Sequence, residues 1–273
     1  MLNQTRPLRF AADRERGHRW AMKDVPLQEV VKVADGWLRI REIVDYPQAQ
    51  NGLQLENSGR VRRLVAAVDA CEAVMQLAAS QEGTLLLVHH GLFWNSSVWT
   101  GPTYRKLRVA FAADLAVYSA HLPLDVHPDF GNNILLAKQL GLSAIEPVLD
   151  FKGMPIGLLG LTEVSREVFA DALTTVTGAR AHVCAGGPST VRRVVVVTGG
   201  AGSEVARVAA LGADTFVTGE GPHWSYPLAE ELGINVLYGG HYATETLGVQ
   251  ALAERLAERF GVPWEFVDHP TGL

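Results

Sequence analysis

Short apolar segments of strand length alternate with amphipathic segments of helical length along most of this chain, and this alternation restricts the fold more than any other feature. Residues 64–68, 84–88 and 115–119 have the pattern of buried strands, and helix-like segments near 71–80 and 104–114 separate them. Strands separated by helices are typical of βαβ units, whose strands lie mainly parallel. We therefore predict an α/β fold with mainly parallel sheets.

The same alternation continues to the end of the chain. The remaining predicted strands are residues 155–161, 193–197, 215–218, 234–237 and 264–267, and the remaining predicted helices lie near residues 26–40, 131–140, 166–175, 203–211, 224–232 and 244–260. These strands form either one sheet or two. Because residues 146–155 contain two prolines and a glycine, we predict that this stretch crosses from one lobe to another.

Composition excludes several classes of protein. With 273 residues, 48% of them hydrophobic, the chain is long enough to bury a large core. Its formal net charge of −5, without a local basic patch, argues against nucleic acid as a ligand. The two cysteines, Cys71 and Cys184, form no CxxC pattern, and no apolar run approaches the roughly 20 residues that span a bilayer. We expect a cytoplasmic protein without a membrane partner.

The first 21 residues differ from the rest of the chain. They contain five arginines and little apolar periodicity, and Asp13 and Glu15 interrupt the positive charge, so neither a secretory signal nor a transit peptide is indicated. Met22 begins the first well-patterned segment. We predict that residues 1–21 are a disordered leader, an extension upstream of the true start.

Two adjacent histidines follow the predicted strand 84–88. His89 and His90 would stand at the carboxyl end of that strand, where α/β sheets bind their ligands. Neighbouring side chains of a regular strand point to opposite faces, so the pair would hardly bind one ion unless the backbone bends. The two imidazoles would instead serve two neighbouring ions, which favours a dinuclear metal site.

Two further strand ends carry side chains of the same kind. His121 and Asp125 follow strand 115–119, and His241 follows strand 234–237, with Glu245 four residues later on the same helix face. A lone histidine is more often a core or surface residue than a ligand, so the prediction rests on the coincidence of three strand ends. Nitrogen and oxygen ligands without a cysteine fit zinc, manganese or iron.

Two other features each leave alternatives open. The glycine-rich turn at 199–202 follows a strand and precedes a helix, so its amides could hold a phosphate, but it lacks the lysine of a P-loop. The aromatic residues Phe93, Trp94 and Trp99 either stack on a planar ring or close a lid or a subunit contact.

The chain resembles the Nif-three-like family, also called GTP cyclohydrolase type 2 homologues, from about residue 26 to its end. The resemblance is carried by Asn51-Gly52-Leu53-Gln54, the strand ending in Asp69, His89-His90-Gly91-Leu92-Phe93-Trp94, His121-Leu122-Pro123-Leu124-Asp125, Thr218-Gly219-Glu220 with His223, and Gly240-His241-Tyr242-Ala243-Thr244-Glu245. The HHG and GHxxTE elements at this separation are specific, whereas the NGLQ element alone would be weak.

The resemblance implies two α/β lobes with a dinuclear metal site in the cleft between them, and assembly as a ring-shaped homo-hexamer. The implied metal ligands are His89, His90, Asp125, His241 and Glu245, with Glu245 bridging two divalent ions per chain. His121 would lie just outside the ligand set. We expect the first lobe, carrying the ligands, at residues 22–127 and 220–273, and the second at 128–219. The interval from residue 150 to 193 is too short for the extra domain that many relatives carry between the lobes.

The implied function is that of a metal-dependent hydrolase that opens the ring of a purine nucleotide, with GTP as the small-molecule substrate. Two close cations lower the pKa of a bridging water, so that hydroxide is present near neutral pH. We predict that Glu245 acts in catalysis through the metal ions and that His121 moves protons, with His127 as the reserve. The alternative is a metal-handling, scaffold or regulatory hexamer without turnover.

Overall fold

The computed structural model describes residues 23–94 and 98–273, so the predicted leader at 1–21 lies outside the described part of the chain. The chain divides into two compact units. The first unit comprises the described parts of Met1–Arg41, Asp45–His121 and Val249–His269, and the second comprises Glu42–Val44, Leu122–Gly248 and Pro270–Leu273.

Strands and helices alternate along the chain. The strands are β1 (Val25–Pro26), β2 (Gly52–Leu55), β3 (Arg60–Val61), β4 (Arg63–Asp69), β5 (Thr84–His90), β6 (Ala116–Ser119), β7 (Ser143–Phe151), β8 (Met154–Ser165), β9 (His182–Ala185), β10 (Thr190–Val196), β11 (Thr215–Thr218), β12 (Asn235–Tyr238) and β13 (Trp264–Phe266). The helices are α1 (Leu27–Leu38), α2 (Glu72–Ala78), α3 (Gly101–Ala112), α4 (Leu122–Asp125), α5 (Asn132–Gln139), α6 (Arg166–Thr177), α7 (Val205–Ala210), α8 (Ser225–Leu232), α9 (His241–Thr244) and α10 (Thr246–Phe260), with a 3₁₀ turn at Gly202–Glu204. Within residues 23–94 and 98–273, no helix has the length and hydrophobicity needed to cross a membrane.

The first unit contains a five-stranded sheet in the order β13-β4-β5-β6-β2. Strands β13, β4, β5 and β6 pair in parallel, and only β2 at the edge is antiparallel. The predicted mainly parallel arrangement is therefore confirmed for this sheet. Because β4, β5 and β6 are neighbours, their carboxyl ends lie side by side, and Asp69 pairs in register with His90.

The second unit contains a six-stranded mixed sheet in the order β7-β8-β10-β11-β12-β9. Its centre, β10, β11 and β12, is parallel, and antiparallel strands flank that centre. Successive residues of the central strands pack into two different hydrophobic clusters: Phe216 belongs to one and Val217 to the other. Both faces of the sheet are therefore covered, which explains why these strands appear in the sequence as continuous apolar runs.

The predicted crossing at residues 146–155 is wrong. This stretch forms the turn end of the hairpin between β7 and β8, which pairs Asp150 with Pro155 and Phe151 with Met154. Lys152 and Gly153 form the two-residue turn, both at positive φ (52° and 85°), as hairpin turns require. Proline did not end the strand here because β7 is an edge strand, where a missing N–H is tolerated.

The division into units also differs from the predicted boundaries at residues 128 and 220. β12 pairs with β11 and β9 in the sheet of the second unit, so the segment from residue 220 to 248 belongs to that unit. Asp125, His241 and Glu245 therefore lie in the second unit, whereas His89 and His90 lie in the first.

Candidate metal centre

Strand β5 ends with the two histidines of the HHG motif. His89 is completely buried and His90 is half-buried, and the centroids of their rings lie 4.8 Å apart. His121, which follows β6, completes a group of three: one ligand atom from each imidazole lies within 4.8 Å of the others. The first unit thus brings three of the residues selected from the sequence together in one group that could hold a metal ion.

An acceptor oxygen lies beside Nδ1 of each imidazole in this group. Nδ1 of His89 lies 2.9 Å from the carbonyl oxygen of Ala120, and Nδ1 of His90 lies 2.9 Å from Oδ1 of Asp69. Nδ1 of His121 lies 3.0 Å from Oδ1 of Asp45. Such contacts fix the orientation of a ring and are typical of histidines that bind metals.

Asn51 and Gln54 of the NGLQ motif support this group. Asn51 accepts a hydrogen bond from the backbone N–H of His121 at 2.7 Å and donates one to Asp45 at 2.8 Å. Gln54 accepts a hydrogen bond from the N–H of Leu92 at 2.6 Å, just after the HHG motif. The NGLQ motif therefore holds the segment that follows β5 and the loop that begins at His121.

Asp45 is a carboxylate that the sequence analysis missed. Burial by itself raises the pKa of Asp45, but hydrogen bonds and the charge of His121, with further hydrogen bonds from Asn51 and Tyr46, outweigh it and hold this pKa below its usual value. Asp45 is therefore ionised at neutral pH and can orient the imidazole of His121.

In the second unit, Asp125 at the end of α4 is buried and held by hydrogen bonds. Its Oδ1 accepts from Nδ2 of Asn132 at 2.8 Å and from the hydroxyl of Thr198 at 3.1 Å. Asn133 in turn accepts from the backbone N–H of Thr198 at 2.8 Å. This network fixes the position of the carboxylate, as expected of a preorganised ligand.

His241 and Glu245 lie one helical turn apart, as predicted. Nε2 of His241 lies 3.2 Å from Oε1 of Glu245, and Nδ1 lies 2.8 Å from Oε1 of Glu220. Burial by itself lowers the pKa of His241, but hydrogen bonds to Glu245 and Glu220 and their charges raise it to about 9. His241 thus lies between two carboxylates that favour its protonated form, an arrangement that also suits a divalent cation in place of the proton.

Three N–H groups of the glycine-rich turn are already used within the protein. The N–H groups of Gly199 and Ala201 donate to the hydroxyls of Thr244 and Thr218 at 3.0 and 3.2 Å, and that of Gly202 donates to a carbonyl oxygen at 3.0 Å. The turn also makes room for the candidate ligands. A Cβ atom at Gly199 would overlap Oε1 of Glu245, and one at residue 200 would lie 3.5 Å from the ring of His241.

The aromatic residues near the HHG motif take different positions. The ring of Trp94 meets that of His121 edge-on, at a centroid distance of 4.8 Å and an angle of 76°. Phe93 packs against the core of the first unit, and Trp99 is 59% exposed. Trp94 is therefore the member of the predicted cluster that touches the histidine group.

His127, predicted as the reserve proton carrier, has a structural role. Its ring stacks on that of Phe130 at a centroid distance of 3.6 Å. Nδ1 accepts hydrogen bonds from the backbone N–H groups of Asp129 and Phe130 at 3.2 and 3.3 Å. His127 thus caps its own loop.

Some of the residues that orient the histidines could be predicted from the sequence, and others could not. Asp69 ends the strand beside β5, and an acidic residue at the carboxyl end of a neighbouring strand was a usable signal. Glu220 similarly follows β11, the neighbour of the strand that leads to His241. Asp45 lies in an irregular loop and gave no signal.

The donor set fits a divalent cation of borderline hardness. Imidazole nitrogens and carboxylate oxygens suit zinc, manganese or iron. Each of the three imidazoles of the first unit, and His241 in the second, has an oriented ring. The two free cysteines are not among these groups.

Comparisons with known proteins agree over nearly the whole chain. Residues 25–271 match the family model described as Duf34/NIF3 (NGG1p interacting factor 3). A Deinococcus radiodurans protein named GTP cyclohydrolase 1 type 2 homolog is 41% identical over 253 residues, covering 92% of this chain and 95% of that protein. A Pyrococcus abyssi protein of the same name is 38% identical, covering 90% and 99%.

Solved structures give the same result. The structure of the protein ybgI, described as of unknown function, has a TM-score of 0.85 and 33% identity and covers 91% of this chain and 100% of its own. The structure of TTHA1606 from Thermus thermophilus has a TM-score of 0.82 and 40% identity, with the same coverage. On both the family model and the curated relatives, this chain belongs to the Duf34/NIF3 family.

Proposed function

We propose that this protein is a metal-dependent hydrolase that acts on a purine nucleotide, with GTP as the substrate, and that it binds two divalent ions per chain. The proposed ligands are His89, His90, Asp125, His241 and Glu245. The observation that carries the proposal is the oriented donor set: imidazoles in both units have an acceptor oxygen at Nδ1, which fixes the ring as in histidines that bind metals.

The side chains of this set perform distinct tasks in the proposal. Asp69 orients His90, and Glu220 orients His241. Asn132 and Thr198 hold the carboxylate of Asp125, and Gly199 leaves space for the carboxylate of Glu245, which would be a ligand of the metal. When bound, two close divalent cations supply Lewis acidity and lower the pKa of water. The role of His121 as a proton carrier stays a prediction from the sequence.

Two observations support a purine nucleotide as the substrate. Curated relatives with 34–41% identity carry the name GTP cyclohydrolase 1 type 2 homolog. Trp94 places an indole beside the histidine group, and aromatic side chains favour contact with planar rings. In keeping with the resemblance, we also propose a homo-hexamer, for which the exposed Trp99 and Phe111 are available as contacts.

A second candidate function is metal handling or a scaffold role without turnover. The burial of the donors favours it, because His89 is 0% and Glu245 2% exposed. Structural metal sites are closed, whereas catalytic sites keep a coordination position open to water and substrate. Metal content alone would therefore not separate the two functions.

The deciding experiment measures formate release from GTP by protein loaded in turn with zinc, manganese and iron. Glu245→Gln keeps the size of the side chain but removes its charge, so we expect loss of turnover with lowered metal content. Glu254→Gln is the matched control, because Glu254 is exposed on α10. Absence of formate with all three metals, or equal rates for wild type and Glu245→Gln, would refute the hydrolase and favour metal handling.

A further inference from the structure

We propose that the loop between β11 and α8, residues 219–224, binds the planar ring of the substrate by stacking it on the indole of Trp224. This inference rests on the function proposed above, because it takes a purine nucleotide as the ligand. It concerns residues that follow Glu220 in the Thr218-Gly219-Glu220 motif with His223 and that the metal centre does not use.

The beginning of this loop is fixed to the glycine-rich turn. The N–H groups of Gly219 and Glu220 both donate to the carbonyl oxygen of Gly199, at 2.8 and 3.0 Å. The carbonyl oxygen of Glu220 in turn accepts from the N–H of Gly202 at 3.0 Å. A Cβ atom at Gly202 would overlap Cα of Gly221, so the two backbones touch. The start of the loop is therefore ordered before any ligand binds.

The end of the loop is fixed by Ser225, the first residue of α8. Both the N–H and the hydroxyl of Ser225 donate to the carbonyl oxygen of Pro222, at 2.9 and 2.6 Å. Because the single hydroxyl proton is used there, the phenol of Tyr238 must donate to Oγ of Ser225, at 2.7 Å. Ser225 is completely buried, so water does not compete for these bonds. His223 and Trp224 are thus held between two fixed points.

Trp224 is exposed on this ordered loop. Its side chain is 50% exposed, and its neighbour His223 is exposed as well. Helix α8 packs against the core of the second unit through Ala229, with Tyr226 and Leu228 beside it, so the core does not require an indole at residue 224. A large, rigid and amphipathic ring that is already ordered binds a planar ligand at a low entropic cost.

The position of the loop in the sheet places Trp224 near the candidate metal ligand His241. Four residues separate Trp224 from Glu220, so their Cα atoms are at most about 14 Å apart. Nδ1 of His241 lies 2.8 Å from Oε1 of Glu220. Both His241 and the loop follow parallel strands at their carboxyl ends, where α/β sheets bind their ligands. A ring stacked on Trp224 would therefore lie at the same edge of the sheet as His241.

The test compares guanosine monophosphate with ribose 5-phosphate, which lacks the base, and measures their binding to the zinc-loaded protein by calorimetry. Trp224→Ala should weaken the binding of guanosine monophosphate by about 5- to 150-fold, equivalent to the roughly 1–3 kcal/mol that a stacked base contributes. Its affinity for ribose 5-phosphate and its zinc content should equal those of the wild type. Trp224→Phe, which keeps an aromatic ring, should recover most of the lost affinity.

Leu232→Ala is the matched control and should change neither affinity, because Leu232 is 43% exposed at the other end of α8. Equal binding of guanosine monophosphate by wild type and Trp224→Ala, or an equal loss for both ligands, would overturn the inference and leave the proposed hydrolase in place. Failure of the wild type to bind guanosine monophosphate would overturn it as well. If Trp224→Ala shows the expected loss but the wild type releases no formate from GTP, the stacking site stands and the proposed hydrolase fails.

Discussion

Replacing Gly199 by alanine tests whether the glycine-rich turn exists to accommodate the candidate ligands. Gly199 has φ of +70°, and a Cβ atom there would overlap Oε1 of Glu245 and lie 3.3 Å from Cδ. The variant therefore has two separate costs. One is a left-handed backbone conformation for alanine, about 1–2 kcal/mol, and the other is displacement of Glu245.

Gly212→Ala separates these two costs. Gly212 has nearly the same φ, +74°, and a Cβ atom there would meet nothing within 4 Å. The backbone cost should lower the unfolding free energy of both variants by about 1–2 kcal/mol, a shift in Tm of roughly 2–8 °C, and Gly199→Ala should lose more because it also displaces Glu245. Only Gly199→Ala should push Glu245 away, by about 1 Å, to restore an ordinary carbon–oxygen contact.

The effect on metal binding follows from that displacement. A ligand misplaced by about 1 Å is comparable to the loss of an orienting partner, so metal affinity should fall by about 10–100-fold, or roughly 1.4–2.7 kcal/mol. Chelator competition with zinc measures the affinity, and thermal denaturation of the metal-free proteins measures stability. If Gly199→Ala and Gly212→Ala bind zinc equally well, the turn does not serve the site and Glu245 is misassigned.

Four further predictions concern other parts of the molecule. Glu220→Gln should weaken zinc binding by about 10–100-fold, because Glu220 orients His241; unchanged binding would argue against that role. Cys184 should react with a thiol reagent at least about tenfold more slowly than Cys71 in the folded protein, because burial raises the pKa of its thiol, and equal rates would contradict the burial. Ser165→Ala should lower the unfolding free energy by about 1 kcal/mol in urea titrations, because its hydroxyl caps α6 by accepting from the N–H of Val168; no change would mean that the cap contributes nothing. Light scattering should give a mass of about six chains, and a monomer at micromolar concentration would exclude the hexamer.

The sequence predicted the regular core well for a physical reason. Parallel strands buried on both faces need uninterrupted apolar residues, so Leu85 to Val88 in β5 and the central strands of the second sheet were recognisable by pattern alone. The misassigned segment was the β7–β8 hairpin. Because β7 is about half exposed and contains a proline, its apolar and polar residues do not alternate clearly. Sequence patterns indicate which side chains are buried, and an exposed edge strand buries few side chains.

The candidate ligands were predictable but their environment was not. Histidines and acidic residues at strand ends stand out in a sequence because topology alone makes those ends converge. The partner of His121, in contrast, is Asp45, which is 76 residues away in an irregular loop. No local pattern predicts such a contact, since it depends on tertiary packing. The role assigned to His121 from sequence therefore rested on the family resemblance and on the chemistry of proton transfer, without knowledge of this contact.

The same arrangement recurs in both units with different partners, and this recurrence itself carries information. His90 ends a parallel strand and His241 follows one. Each has Nδ1 beside a carboxylate from the neighbouring strand: Asp69, which ends β4, and Glu220, which follows β11. A neighbouring strand end supplies a carboxylate at the same height because parallel strands are in register. Imidazole and carboxylate can thus be placed by the sheet rather than by a long loop, so their geometry is fixed before any cation arrives. Preorganisation of this kind lowers the cost of ordering ligands on binding, which is why the orienting carboxylates should affect metal affinity even though they do not touch the metal.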